Sequence, residues 1–167
     1  MKRTVLFSVF AVIFSFALLL ESASSKTEPQ TQEKPDVNTM ARKGFAEVNG
    51  WVVKAADMVP AEKYNYKPTN DVRSFGQLVA HITDSYNYFC AHGAGKKVEW
   101  SDAVERGTTD KATLAPKLKQ AVDACNAVYE GNSTELRPLF ENIAHTNLHY
   151  GNIITYMRLM GMKPPSS

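Results

Sequence analysis

His145 and His149 are four residues apart, and His81 lies far upstream in the run Gln77-Leu78-Val79-Ala80-His81-Ile82. A four-residue spacing on a helix puts two imidazoles on one face, one turn apart, where both can hold a single metal ion. A third histidine from a second helix would complete a facial donor set with an open fourth position, the pattern of a catalytic site for Zn²⁺ or a similar divalent ion. Spacing alone leaves the competing reading open, that these are ordinary surface or core histidines. The fourth histidine, His92, stands near a predicted helix end, where a cation is favoured by the helix dipole. Asp84, three residues after His81, is either a partner of the site or a solvated carboxylate. Tyr88 and Tyr156 either reach a groove or pack the core, and Arg158 either binds an anion or faces water. No Ser-His-Asp arrangement, Gly-rich phosphate loop or paired-carboxylate motif is present. Tyr64, Tyr66 and the Pro68-Thr69 turn carry no chemistry and are expected to pack a connection.

These residues must be positioned by helices, because no stretch alternates cleanly enough for a strand. The first helix is predicted from about Asn38 to Val59, with Phe45, Val48, Val52, Ala55, Ala56 and Val59 as its apolar stripe and Pro60 as its stop. The second starts at a Ser74 cap and ends at Gly93 and Gly95. The third is predicted from Thr113 to Glu130, with Thr113 as cap and Pro116 in the first turn. The fourth starts after Ser133 or Thr134 and reaches about Met160, with Gly161 at its end. On it, Phe140, Ile143, Tyr150 and Ile154 form the predicted core side. His145 and His149 then fall roughly opposite, beside Asn142, Asn152 and Tyr156, and would line a groove shared with helix two.

Four helices without strands predict an all-α four-helix bundle. Short links make antiparallel neighbours, and about three residues join helices three and four. About 19 residues, from Gly93 to Lys111, join helices two and three. Such a link spans up to about 60 Å, twice the roughly 30 Å of a 20-residue helix. The chain can therefore return along the bundle and start helix three parallel to helix two, an up-down-down-up order. Cys90 and Cys125 would then share one end of the bundle and could bridge; in the antiparallel alternative they stand about 18 Å apart. Two buried free thiols remain the other reading.

The chain has 167 residues, a formal net charge of +2 and 44% hydrophobic residues, the proportions of one globular domain. Near-neutrality excludes charge-driven binding to nucleic acid or to an anionic membrane. Residues 1–25 read as a secretory signal: Lys2 and Arg3, an apolar run over 5–20, then Ser22-Ala23-Ser24-Ser25. Cleavage after Ser24 or Ser25 leaves no stable membrane contact. An uncleaved anchor is the alternative, although the apolar run is shorter than the ~18–20 residues of a comfortable span. Residues 26–37 read as a flexible tether and 38–165 as the folded domain, exported to the periplasm or secreted.

Two stretches resemble a known family. Residues 60–69 (PAEKYNYKPT) with 72–82 (VRSFGQLVAHI), and 145–151 (HTNLHYG) with 156–165 (YMRLMGMKPP), are similar to DinB-like proteins. The resemblance spans the chain from about residue 38. It implies a four-helix bundle of up-down-down-up order that binds one divalent metal, Zn or Ni, through three histidines, which map onto His81, His145 and His149. His92 matches no ligand position. The wider superfamily includes metal-dependent thiol transferases and an isomerase. The resemblance thus implies a metal-dependent hydrolase or transferase acting on an unidentified small molecule. A non-catalytic metal- or small-ligand-binding bundle is the second reading, and a structural bundle with vestigial histidines the third. Relatives pair through bundle faces, which leaves a homodimer open.

Overall fold

The computed structural model describes residues 36–167 apart from Thr108; the signal expectation and the tether expectation over 26–35 fall outside the described residues, while Asp36 and Val37 belong to the start of the first helix rather than to a tether. Four α-helices follow one another: α1 (Val37–Met58), α2 (Phe75–Gly93), α3 (Lys111–Glu130) and α4 (Leu136–Leu159). The described residues contain no strand.

The helix ends follow from local chemistry. Asp36 caps α1 by accepting from the Thr39 N–H, which satisfies one donor that the first turn leaves unpaired. Ser74 caps α2 with a reciprocal pair: its hydroxyl accepts from the Gln77 N–H, and the Gln77 side chain accepts from the Ser74 N–H. The N–H groups of Phe75 and Gly76 find the carbonyls of Tyr66 and Tyr64. Gly76 is required there, because a Cβ would run into the carbonyl of Thr109. The start of α3 corrects the expectation. Asp110, not Thr113, is the cap; its carboxylate accepts from the Thr113 N–H and starts the helix at Lys111. Pro116 consequently lies inside the helix rather than in its first turn. At the end of α4, Gly161 takes φ +76°, and the N–H groups of Gly161 and Met162 return to the carbonyls of Arg158 and Met157.

The order is up-down-down-up. Phe45 of α1 meets Tyr86 late in α2, so these two helices run antiparallel. Cys90 and Cys125 form a disulfide with Cα atoms 5.2 Å apart, which places the C-terminal parts of α2 and α3 together and makes those helices parallel. Trp51 stacks on Tyr150 at 5.3 Å, so α1 and α4 are parallel. The principal packings are α2 on α3 and α4, and α1 on α3 and α4. Helices α3 and α4 are therefore antiparallel but not side by side; their short link crosses a diagonal, contrary to the neighbour rule. The core centres on Phe45, which stacks on Tyr129 at 4.3 Å and meets Tyr86 edge-on at 5.4 Å.

Candidate metal centre

The α2–α4 seam carries the histidines. His81 projects from α2 and His145 and His149 from α4; ring centroids are 5.1 Å (His81–His145), 4.7 Å (His81–His149) and 4.5 Å (His145–His149) apart. One ligand nitrogen from each lies within 4.8 Å of the others. The Nε2 atoms of His145 and His149 face each other at 3.2 Å. Two nitrogens bound to one tetrahedral Zn²⁺ at ~2.0–2.1 Å would stand about 3.3 Å apart. The donor set fits a divalent ion of borderline softness in number, type and spacing.

The side of α4 that faces the bundle differs from the expected one. Phe140 is 41% exposed, whereas Asn142, Thr146 and His149 lie on the buried strip with Leu139 and Ile153. His81 and His149 are each only 8% exposed. The apolar count misled because the inner face of α4 is partly polar. Asn142, fully buried, donates to the Tyr129 hydroxyl. A groove of about 730 Å³ nevertheless opens beside His149 between α2, α4 and the first connection, lined in part by Lys67, Arg73, Gln77, Asn152 and Tyr156.

Burial tunes the imidazoles. It pushes the pKa of His145 from the ordinary 6.5 down to about 4, helped by the electrostatic influence of the neighbouring His81 ring and the Arg73 guanidinium. His149 is pushed down to about 4 by burial first, then by His145, His81 and Arg73. Both rings are thus neutral at neutral pH, the form that ligates a metal.

One site residue was not legible in sequence. Glu105, on the long crossover, places Oε2 3.0 Å from His81 Nδ1. Its carboxylate also accepts from Arg73, at 2.6 Å from Nε and 3.3 Å from Nη2. Only proximity in the fold identifies it; a single Glu in a connection 24 residues from His81 has no periodic signal. Asp84 is 3% exposed, not a solvated carboxylate. Among the described residues it hydrogen-bonds not to His81 but to the backbone N–H groups of Val104 and Glu105, accepting at 3.0 and 2.9 Å. Trp100, also on the crossover, stands 5.6 Å from His81 and 6.3 Å from His145, and its indole N–H donates to Asp102.

Of the remaining candidates, Tyr156 lines the groove, and the others have duties elsewhere. The Tyr156 hydroxyl donates to the Arg73 carbonyl. Tyr88 packs on Phe89, His92 and Trp100. Arg158 is exposed, and His92 bonds the Val98 carbonyl outside the cluster. Tyr64 packs on Phe75 and donates to the Ala56 carbonyl, while Tyr66 packs on Tyr156.

Comparison with known proteins agrees with this architecture. The family model of the DinB superfamily matches residues 50–153. A crystal structure of a DinB-like protein from Bacillus cereus ATCC 10987 superposes with a TM-score of 0.61 at 17% identity, covering 75% of this chain and 93% of that one. No curated protein matches the chain.

Proposed function

The chain belongs to the DinB superfamily, and from that premise we propose that it is an exported divalent-metal protein whose ion is held by His81, His145 and His149. The observation that carries this reading is the convergence of three imidazoles from α2 and α4, two of them kept neutral by burial, with the Nε2 atoms of His145 and His149 spaced as on one tetrahedral ion. Zn²⁺ or Ni²⁺ suits an all-imidazole set.

The reaction class we infer is metal-dependent hydrolysis or group transfer on a small molecule held in the groove beside His149. A divalent ion supplies Lewis-acid polarisation of a substrate oxygen or sulfur. The chain's own residues orient and enclose. Gln77 and Asn152 offer hydrogen bonds along the groove, and Trp100 covers the histidines from the crossover side. One observation favours the second reading, a non-catalytic metal- or ligand-binding bundle. The acidic groups around His81 are all engaged, Glu105 by Arg73 and His81, Asp84 by backbone N–H groups and Asp102 by the Trp100 indole N–H, so none stands unengaged as a general base.

The test is elemental analysis of the protein exported from its full-length chain and purified without chelator or a histidine tag, beside a His145→Ala/His149→Ala variant. About one divalent ion per chain in the wild type, lost in the variant, is expected. Absence of metal from the wild type even after reloading with Zn²⁺ or Ni²⁺ overturns the reading. A metal-loaded protein inert across hydrolysis and thiol-transfer screens selects the second.

A further inference from the structure

The three imidazoles are not held alike. Among the described residues the buried Nδ1 atoms of His145 and His149 have no partner, whereas His81 Nδ1 meets Glu105. A carboxylate only accepts hydrogen bonds, so this contact holds the His81 proton on Nδ1 and leaves the Nε2 lone pair for a ligand. Metal-bound histidines are commonly oriented through their far nitrogen in this way.

Glu105 does not belong to a helix, so something must hold it. Asp84, one turn beyond His81 on the same helix, clamps the N–H groups of Val104 and Glu105 with its two oxygens. The path from His81 to Glu105, along the backbone to Asp84 and back down α2 is a closed circuit. Arg73, just before the Ser74 cap, fixes the carboxylate from the other side, and the Tyr156 hydroxyl of α4 holds the Arg73 carbonyl.

We propose that Glu105 is the positioning residue for His81 and that Asp84 delivers it, which makes the α2–α3 crossover a working part of the metal centre. The proposal rests on the metal reading above and adds that a loop sets the proton position of one ligand. By reciprocity, whatever seats the crossover strengthens metal binding, and metal binding seats the crossover.

The test compares Glu105→Ala, Glu105→Gln and Asp84→Asn. In metal-free protein, long-range ¹⁵N–¹H spectra of the histidine side chains are expected to show the His81 proton on Nδ1 in the wild type. Glu105→Gln should keep it there, since an amide oxygen still accepts, and Glu105→Ala should release it. In Zn²⁺ competition, Glu105→Ala is expected to weaken binding by about 10–100-fold, the usual cost of losing such a partner. Glu105→Gln should restore most of that loss. Asp84→Asn keeps one acceptor for two donors and removes no hydrogen bond to a histidine; a several-fold loss of affinity is expected. An unchanged His81 proton position and unchanged affinity in Glu105→Ala overturn the proposal. If that variant fails to fold, the same null result in Asp84→Asn does so. A wild type that binds no metal overturns the metal reading, while the metal-free spectra still decide whether Glu105 sets the proton.

Discussion

His145 and His149 show how burial decides what a side chain can do. Each imidazole ordinarily takes a proton near pH 6.5, but in the fold each is pushed down to about 4. An unfolded chain therefore binds more protons than the native one as pH falls through this window. The stabilisation is fully present above about 6.5 and is lost as pH falls toward 4. From these two groups metal-free protein is expected to lose at most about 6 kcal/mol of unfolding free energy between pH 7 and pH 4, and about 2–4 kcal/mol once solvent screening of the half-buried rings is counted. Urea denaturation across that range measures it. A His145→Gln/His149→Gln variant should show a flatter profile, and an equally steep one would place the titration elsewhere.

At the scale of the helix, α3 contains a built-in weakness. The Asp110 cap sets the start of the helix, so Pro116 falls in its second turn and cannot bond the Ala112 carbonyl. Pro116 is exposed and gives up no core packing when replaced. Pro116→Ala is expected to raise stability by about 1 kcal/mol, the regained hydrogen bond and helix propensity outweighing the greater freedom of the unfolded chain. Differential scanning calorimetry reads the change; a lower Tm would show that the proline is accommodated without cost. The caps themselves follow short-range chemistry, which is why Ser74, Gly95 and Gly161 could be placed from sequence. Asp110 and Thr113 are both competent caps three residues apart, and only the observed hydrogen bond separates them.

For the molecule as a whole, the decisive feature is that α2 and α3 run the same way. A parallel pair needs a long return path, and the 94–110 segment supplies both that path and Glu105. The Cys90–Cys125 bridge ties the two helices at one end, with the cysteines 35 residues apart in sequence. Closing a loop of that size constrains the unfolded chain by about 3–4 kcal/mol. A Cys90→Ala/Cys125→Ala variant is expected to lose about that much in denaturant titration, with its α2–α4 histidine cluster intact. Loss below about 1 kcal/mol would mean that helix packing alone holds the parallel pair.

Helix number, their approximate ends and the spacing of His145 and His149 were legible in the sequence because each depends on contacts within a few residues: caps, glycine stops and a 3.6-residue period. The order of the helices was legible from loop length, since a short link and a long one permit different paths. What only the tertiary structure decided depends on residues distant in the chain. The buried side of α4 carries Asn142, Thr146 and His149, polar residues that an apolar count leaves outside while it places Phe140 inside. The partner of His81 is set by where a loop returns. Asp84 brings Glu105 there through two backbone hydrogen bonds, and neither periodicity nor spacing carries that information.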